Sequence, residues 1–160
     1  METEKTNQKE VEILRQAIEH RAMWFALLID AAKEKGLDPN FARAAIHKCG
    51  IFQGRNKFPR TDDLGEFEKT FVTPQLREVF QMEPKHEGNT LRVSFHDCPL
   101  VAAWKKLGIP EEQLPLLCDI AMEGDRGVAS TYENMQFTLG KTIAQGNPTC
   151  EVEFVLTPKE

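Results

Sequence analysis

The sequence predicts a helix-rich α+β fold, one domain with a small antiparallel β-sheet. Three observations carry this. A long run of apolar residues at helical spacing opens the chain, strict alternation is confined to three short segments, and 160 residues are enough for one real core but not for two. Residues 1–9 are expected to be a flexible lead and 10–157 the domain, with helices in 10–81 and a strand–helix–hairpin arrangement in 82–157.

The first helix is expected from about Glu10 to Lys35. Val11, Leu14, Ile18, Ala22, Phe25, Ile29 and Ala32 form one stripe, and Gly36 supplies the stop. A second stripe of His20, Trp24, Leu27 and Ala31 makes the later half apolar nearly all round, which allows a homodimer through this helix. Asp38-Pro39 caps a second helix running to about Cys49. "GIFQGRNKFPRTDD" (50–63), rich in glycine and basic residues, is expected to be a loop that approaches a ligand. Helices are expected over Leu64–Phe71 and Pro74–Gln81, and "EPKHEGN" (83–89) as a turn. "TLRVSFH" then alternates, with Leu91, Val93 and Phe95 on one face and Arg92, Ser94 and His96 on the other. Pro99 opens a helix through Leu107, and Pro110 another that ends near Ser130. "MQFTLGK" and "CEVEFVL", joined by "AQGNPT", read as a hairpin.

A formal charge of −5 argues against broad nucleic-acid binding. No stretch is long and apolar enough to enter a membrane as a span, since Asp30 interrupts "AMWFALLIDAA". The polar start "METEKTNQKE" is no secretory signal, so Cys49, Cys98, Cys118 and Cys150 are expected as free thiols in the cytoplasm. There is no P-loop, dinucleotide fingerprint, nucleophile elbow or short C-x-x-C spacing, and neither a metal nor another cofactor is expected.

The chemistry concentrates in "CDIAMEGDRG" (118–127). On a continuous helical wheel Asp125 falls within the apolar arc of Leu114, Leu117, Cys118, Ala121 and Val128, while Asp119, Glu123 and Arg126 lie at its edge. An acid on a core-facing stripe has its pKa pushed up, which suits general acid or base work near neutral pH. The other reading is a buried ion-pair network that only fixes packing. Gly124 and Gly127 lie on the far side, where another backbone can pack closely. At the strand–helix junction "SFHDCPL", His96 and Cys98 suit a base and a thiolate, because free backbone N–H groups lower a thiol's pKa. Arg92 and Ser94 share the face of His96, and with Arg126 could hold a small carboxylate. A capping role for Asp97 and a packed thiol at Cys98 are the plainer readings.

"HDCPLVAAWKKLG", "LCDIAMEGDRG" and "GKTIAQGNPTCEVEF", in that order, resemble the bacterial L-2-amino-thiazoline-4-carboxylic acid hydrolase family. The likeness covers about Leu91 to Phe154 and is sharpest at Cys98-Pro99-Leu100, Trp104, Cys118-Asp119, Glu123-Gly124-Asp125, Gly146 and Cys150. It implies an enzyme that adds water to C2 of a cyclic 2-aminothiazoline acid and opens the ring to N-carbamoyl-L-cysteine, with a small-molecule carboxylate as substrate. Residue chemistry then suggests Asp125 (aided by Glu123) as base, His96 as acid and Arg126 as carboxylate clamp, with covalent attack by Cys98 or Cys118 as a variant. A weaker likeness to vinyl-reductase-type domains keeps open a non-catalytic ligand-binding or sensor module, and a thiol- or metal-dependent accessory protein remains a third reading.

Overall fold

The computed structural model describes residues 7–158. Seven α-helices pack with a four-stranded antiparallel sheet of order β1-β2-β4-β3. Residues 1–6 of the expected lead lie outside the described residues, and α1 starts within the rest of it, spanning Gln8–Glu34 behind an Asn7 cap whose side chain accepts from the Lys9 N–H. Ile18, Ala22, Ala26 and Ile29 turn one stripe of α1 inward against α5 (Pro99–Lys106). There the Trp104 indole N–H donates to the Ala22 carbonyl at 2.9 Å, so that a fully buried ring leaves no donor unpaired. Glu19 is buried on the same stripe and is held by Lys106 at 2.6 Å and Arg15 at 3.7 Å.

Asp38 caps a short 3-10 turn (Pro39–Phe41), which leads into α2 (Ala42–Asn56). The expected loop from Gly50 therefore begins only after Asn56, and Gly50 and Gly54 are buried within a helix. The reason is the partner. A Cβ on Gly50 would land on the Gly124 carbonyl oxygen, one on Gly127 on the His47 carbonyl oxygen, and one on Gly54 would stand 2.6 Å from the Thr131 hydroxyl. Helices α2 and α7 (Glu123–Ser130) thus meet backbone to backbone. Arg60 ties off the end of α2, donating to the Gly54 carbonyl and at 3.1 Å to that of Thr131.

Helices α3 (Leu64–Phe71) and α4 (Pro74–Phe80) lie where expected, capped by Asp63 and Thr73. The expected turn at 83–89 is largely a strand. β1 (Met82–Glu87) pairs with β2 (Thr90–Phe95) through a two-residue turn in which Gly88 takes φ +59°. As an edge strand it buries only Met82 and tolerates Pro84, so it shows no alternation. β3 (Met135–Leu139) and β4 (Cys150–Leu156) form the expected hairpin, with β4 central beside β2.

The helix expected from Pro110 to Ser130 is divided. A 3-10 turn (Glu111–Gln113) precedes α6 (Leu114–Ala121), and at Met122 ψ rises to −8°, outside the helical range, before α7 begins. The break separates two apolar clusters. Leu117, Cys118 and Ile120 of α6 pack with α1 and α5, while Val128 and Ala129 of α7 pack with Phe67, Leu91, Val93, Val152 and Phe154 over the inner face of the sheet.

Candidate active site

Most of the charges in 118–127 satisfy one another across three helices. Arg126 reaches back to the Asp119 carboxylate at 2.8 Å, donates to the Asp119 carbonyl at 2.8 Å, and meets Glu123 at 2.9 Å. From α2, Arg43 meets Asp119 at 2.7 Å and Glu123 at 3.3 Å, and His47 Nδ1 lies 3.2 Å from Glu123. Burial pushes the Asp119 acid up, but hydrogen bonds from Arg126 and Arg43 outweigh it and hold the carboxyl below its ordinary value. For Asp119, Glu123 and Arg126 the ion-pair reading is therefore what the geometry presents, and it locks the α2–α7 contact made by the glycines.

Asp125 stands apart. It is half-buried and, among the described residues, accepts no hydrogen bond and forms no ion pair. Its neighbours along the helix faces are Ala121 and Met122 of one apolar cluster and Val128 and Ala129 of the other. Desolvation pushes its carboxyl up to about 6, opposed by the positive charges of Arg21 on α1 and Arg126. Arg21 is exposed and likewise without a hydrogen bond or ion pair among the described residues. A carboxylate so placed is ionised above about pH 6.

The thiols form a different neighbourhood. Cys98 begins α5, with the Leu100 and Val101 N–H groups acting on its sulfur as expected of a junction. Burial outweighs them: the thiol is pushed up to about 11, with the Cys150 and Asp97 charges adding to the rise. Burial likewise pushes Cys118 up to about 12, with Cys150, Cys98 and Asp119 as its charged neighbours. Cys150, also raised by burial, accepts from the Ile143 N–H at 3.0 Å. At neutral pH these sulfurs are protonated and packed, so the thiolate expected at Cys98 is not formed. Among the described residues no group of three or more His, Cys, Asp or Glu side chains is arranged to hold a metal ion.

Arg92, Ser94 and His96 stand on the opposite side of the sheet from α7. Because Leu91 and Val93 face the helices, alternation turns their neighbours to the outer surface, where Arg92 pairs with Glu153 at 2.8 Å, Ser94 donates to Glu151 at 2.6 Å, and His96 Nε2 lies 2.9 Å from Glu83. The expected meeting of His96 with Asp125 and the thiols across an enclosed space does not occur. Cys118 lies on α6 and Asp125 on α7, seven residues on and across the break at Met122, a separation that a continuous wheel does not display. Two open grooves of about 380 and 660 Å³ run along α3, α4 and β1; neither is lined by an α7 residue, and His96 borders the larger.

The structure thus brings Asp125 to Arg21 and Arg126, gathers Cys98, Cys118 and Cys150, and sets Arg92, Ser94 and His96 outside. Sequence reasoning missed Arg21, Arg43 and His47. Arg43 and His47 are four apart on one face of α2, a cue for a shared partner within the stretch already expected to be helical. Arg21 lies between the two stripes of α1 and carried no separate signal.

A model of the L-2-amino-thiazoline-4-carboxylic acid hydrolase family matches residues 15–154. No curated protein matches the chain. Among solved structures, the fold resembles that of a trafficking protein particle complex subunit 3 from Naegleria fowleri, solved covalently bound to palmitic acid. The likeness has a TM-score of 0.57 at 13% identity and covers 89% of this chain and 96% of that one. At that identity it speaks to the fold alone.

Proposed function

The chain belongs to the L-2-amino-thiazoline-4-carboxylic acid hydrolase family, and from that premise we propose that it opens a small cyclic amidine-type acid with Asp125 as general base. The observation that carries this reading is the setting of Asp125: a half-buried carboxylate that accepts no hydrogen bond among the described residues, its pKa raised to about 6 by desolvation against the positive charges of Arg21 and Arg126. Water bound at Asp125 gives up a proton to it as the oxygen adds to C2 of the ring. As the C=N bond opens, the ring nitrogen takes up a proton from solvent; the tetrahedral intermediate then collapses with loss of its hydroxyl proton and cleavage of the C2–S bond, and Asp125 returns its proton to the leaving sulfur, giving the N-carbamoyl cysteine product. Arg21 takes the substrate carboxylate in a charge-assisted hydrogen bond. Arg126, already shared between Asp119 and Glu123, lends its charge to the developing anion. This assignment gives no role to His96 and none to a covalent cysteine intermediate.

The test is turnover of L-2-amino-thiazoline-4-carboxylate, followed by release of the new thiol. Asp125→Asn should lower kcat by at least about 100-fold, as expected on loss of a general base. Arg21→Ala should raise KM more than it lowers kcat. Wild-type protein that is stabilised by this acid but never consumes it would overturn the hydrolase reading in favour of a ligand-binding module.

A further inference from the structure

We propose that α1 is the interface between two copies of this chain, paired antiparallel. The helix is apolar on two sides. Ile18, Ala22, Ala26 and Ile29 face the protein's own core, whereas Ile13, Ala17, His20, Trp24, Leu27 and Ala31 follow one another at alternating steps of four and three and are all exposed. That spacing is the seam of a helix pair, not of a solvated surface. Trp24 is 64%, Leu28 63%, Ile13 58% and Leu27 53% exposed. At such exposures these four side chains present on the order of 400 Å² of apolar surface, the scale at which a monomer's patch is usually functional. It is about half of the roughly 800 Å² per partner that a stable interface covers.

Two features favour a second copy over another occupant. First, the stripe is complementary to itself. An antiparallel pair centred near residue 22 sets Ile13 against Ala31 of the partner subunit, Ala17 against the partner's Leu27, and His20 against the partner's Trp24. Each small residue meets a large one, and the pattern repeats through the two-fold axis. Second, the Trp24 indole N–H already donates to His20 Nε2 at 2.8 Å within the same helix. Covering the ring therefore strands no donor, and the side chain is held before association, which reduces the entropy lost on binding.

Sedimentation equilibrium of the full chain over about 1–100 µM tests this, since self-association is governed by mass action. A dimer is expected, and dilution should shift tryptophan emission to the red, because Trp104 is buried and Trp24 alone reports the interface. Trp24→Ala should weaken the dimer by at least about thirtyfold, the loss expected at a central aromatic anchor. Leu27→Glu and Ala17→Glu should each give monomers with unchanged far-ultraviolet circular dichroism; two exposed sites are used so that misfolding of one does not decide the matter. A wild-type chain that stays monomeric at the highest concentration overturns the proposal, as does a dimer indifferent to all three substitutions.

Discussion

Asp125 and Asp119 are six residues apart and titrate in opposite directions because of what surrounds them. Asp119 has two guanidinium groups within hydrogen-bond distance, so its charge is favoured in spite of burial. Asp125 feels Arg21 and Arg126 only through space, and desolvation prevails. Since folding raises the Asp125 pKa from 3.8 to about 6, the native state holds that proton more tightly than the unfolded chain does. The stabilisation it confers is complete below about pH 3.8 and is lost as the pH rises through about 6. Asp125→Asn removes this penalty. At pH 8 it should stabilise the protein by about 1–2 kcal/mol, part of the gain being lost to an unpartnered amide, and raise Tm by a few degrees. Thermal unfolding of both proteins at pH 5 and pH 8 checks the sign: the advantage of the variant should be larger at pH 8. On the outer face of the sheet, Arg92→Ala and His96→Ala break only exposed pairs, so each should change stability by less than about 0.5 kcal/mol and leave turnover as in wild type.

The contact between α2 and α7 depends on the absence of side chains at particular points. Gly127→Ala or Gly50→Ala would drive a methyl into backbone, which cannot swing aside, and should cost about 3 kcal/mol or more. Gly124 sits on the same helix, but a Cβ there meets nothing within 4 Å. Gly124→Ala should therefore gain up to about 1 kcal/mol from helix propensity alone. Urea unfolding of the three variants separates close packing from propensity by sign. The same glycines explain which elements were legible. Periodic, capped helices such as α1, α3 and α4 announce themselves in sequence. Gly50 and Gly54 read as loop residues because local propensity was all the sequence offered, whereas the decisive partner lies more than seventy residues away. β1 was hidden for a different reason: an edge strand with one buried residue has no alternation to display. The break at Met122 gave no signal either, since Met and its neighbours are good helix formers.

Across the whole molecule, α6 packs into one apolar cluster and α7 into the other, and Asp125 lies in the first turn of α7, next to the break between them. The acid itself could be found in the sequence, because a carboxylate among apolar residues is conspicuous at any helical register. Its surroundings could not, since they depend on how α2 packs against α7 and on which side of the sheet faces the helices. Residue chemistry alone joins His96 to Asp125, whereas the alternation that buries Leu91 and Val93 turns His96 to the outer surface. Membership of the hydrolase family and a half-buried acid that accepts no hydrogen bond among the described residues support the proposal that Asp125 takes the proton from the attacking water. The most direct test is the pH dependence of kcat/KM on L-2-amino-thiazoline-4-carboxylate. Wild-type kcat/KM should fall about tenfold per pH unit below an apparent pKa near 6, and Asp125→Asn should be nearly inactive with that inflection gone. A folded Asp125→Asn variant with the activity and the pH profile of wild type would contradict the account.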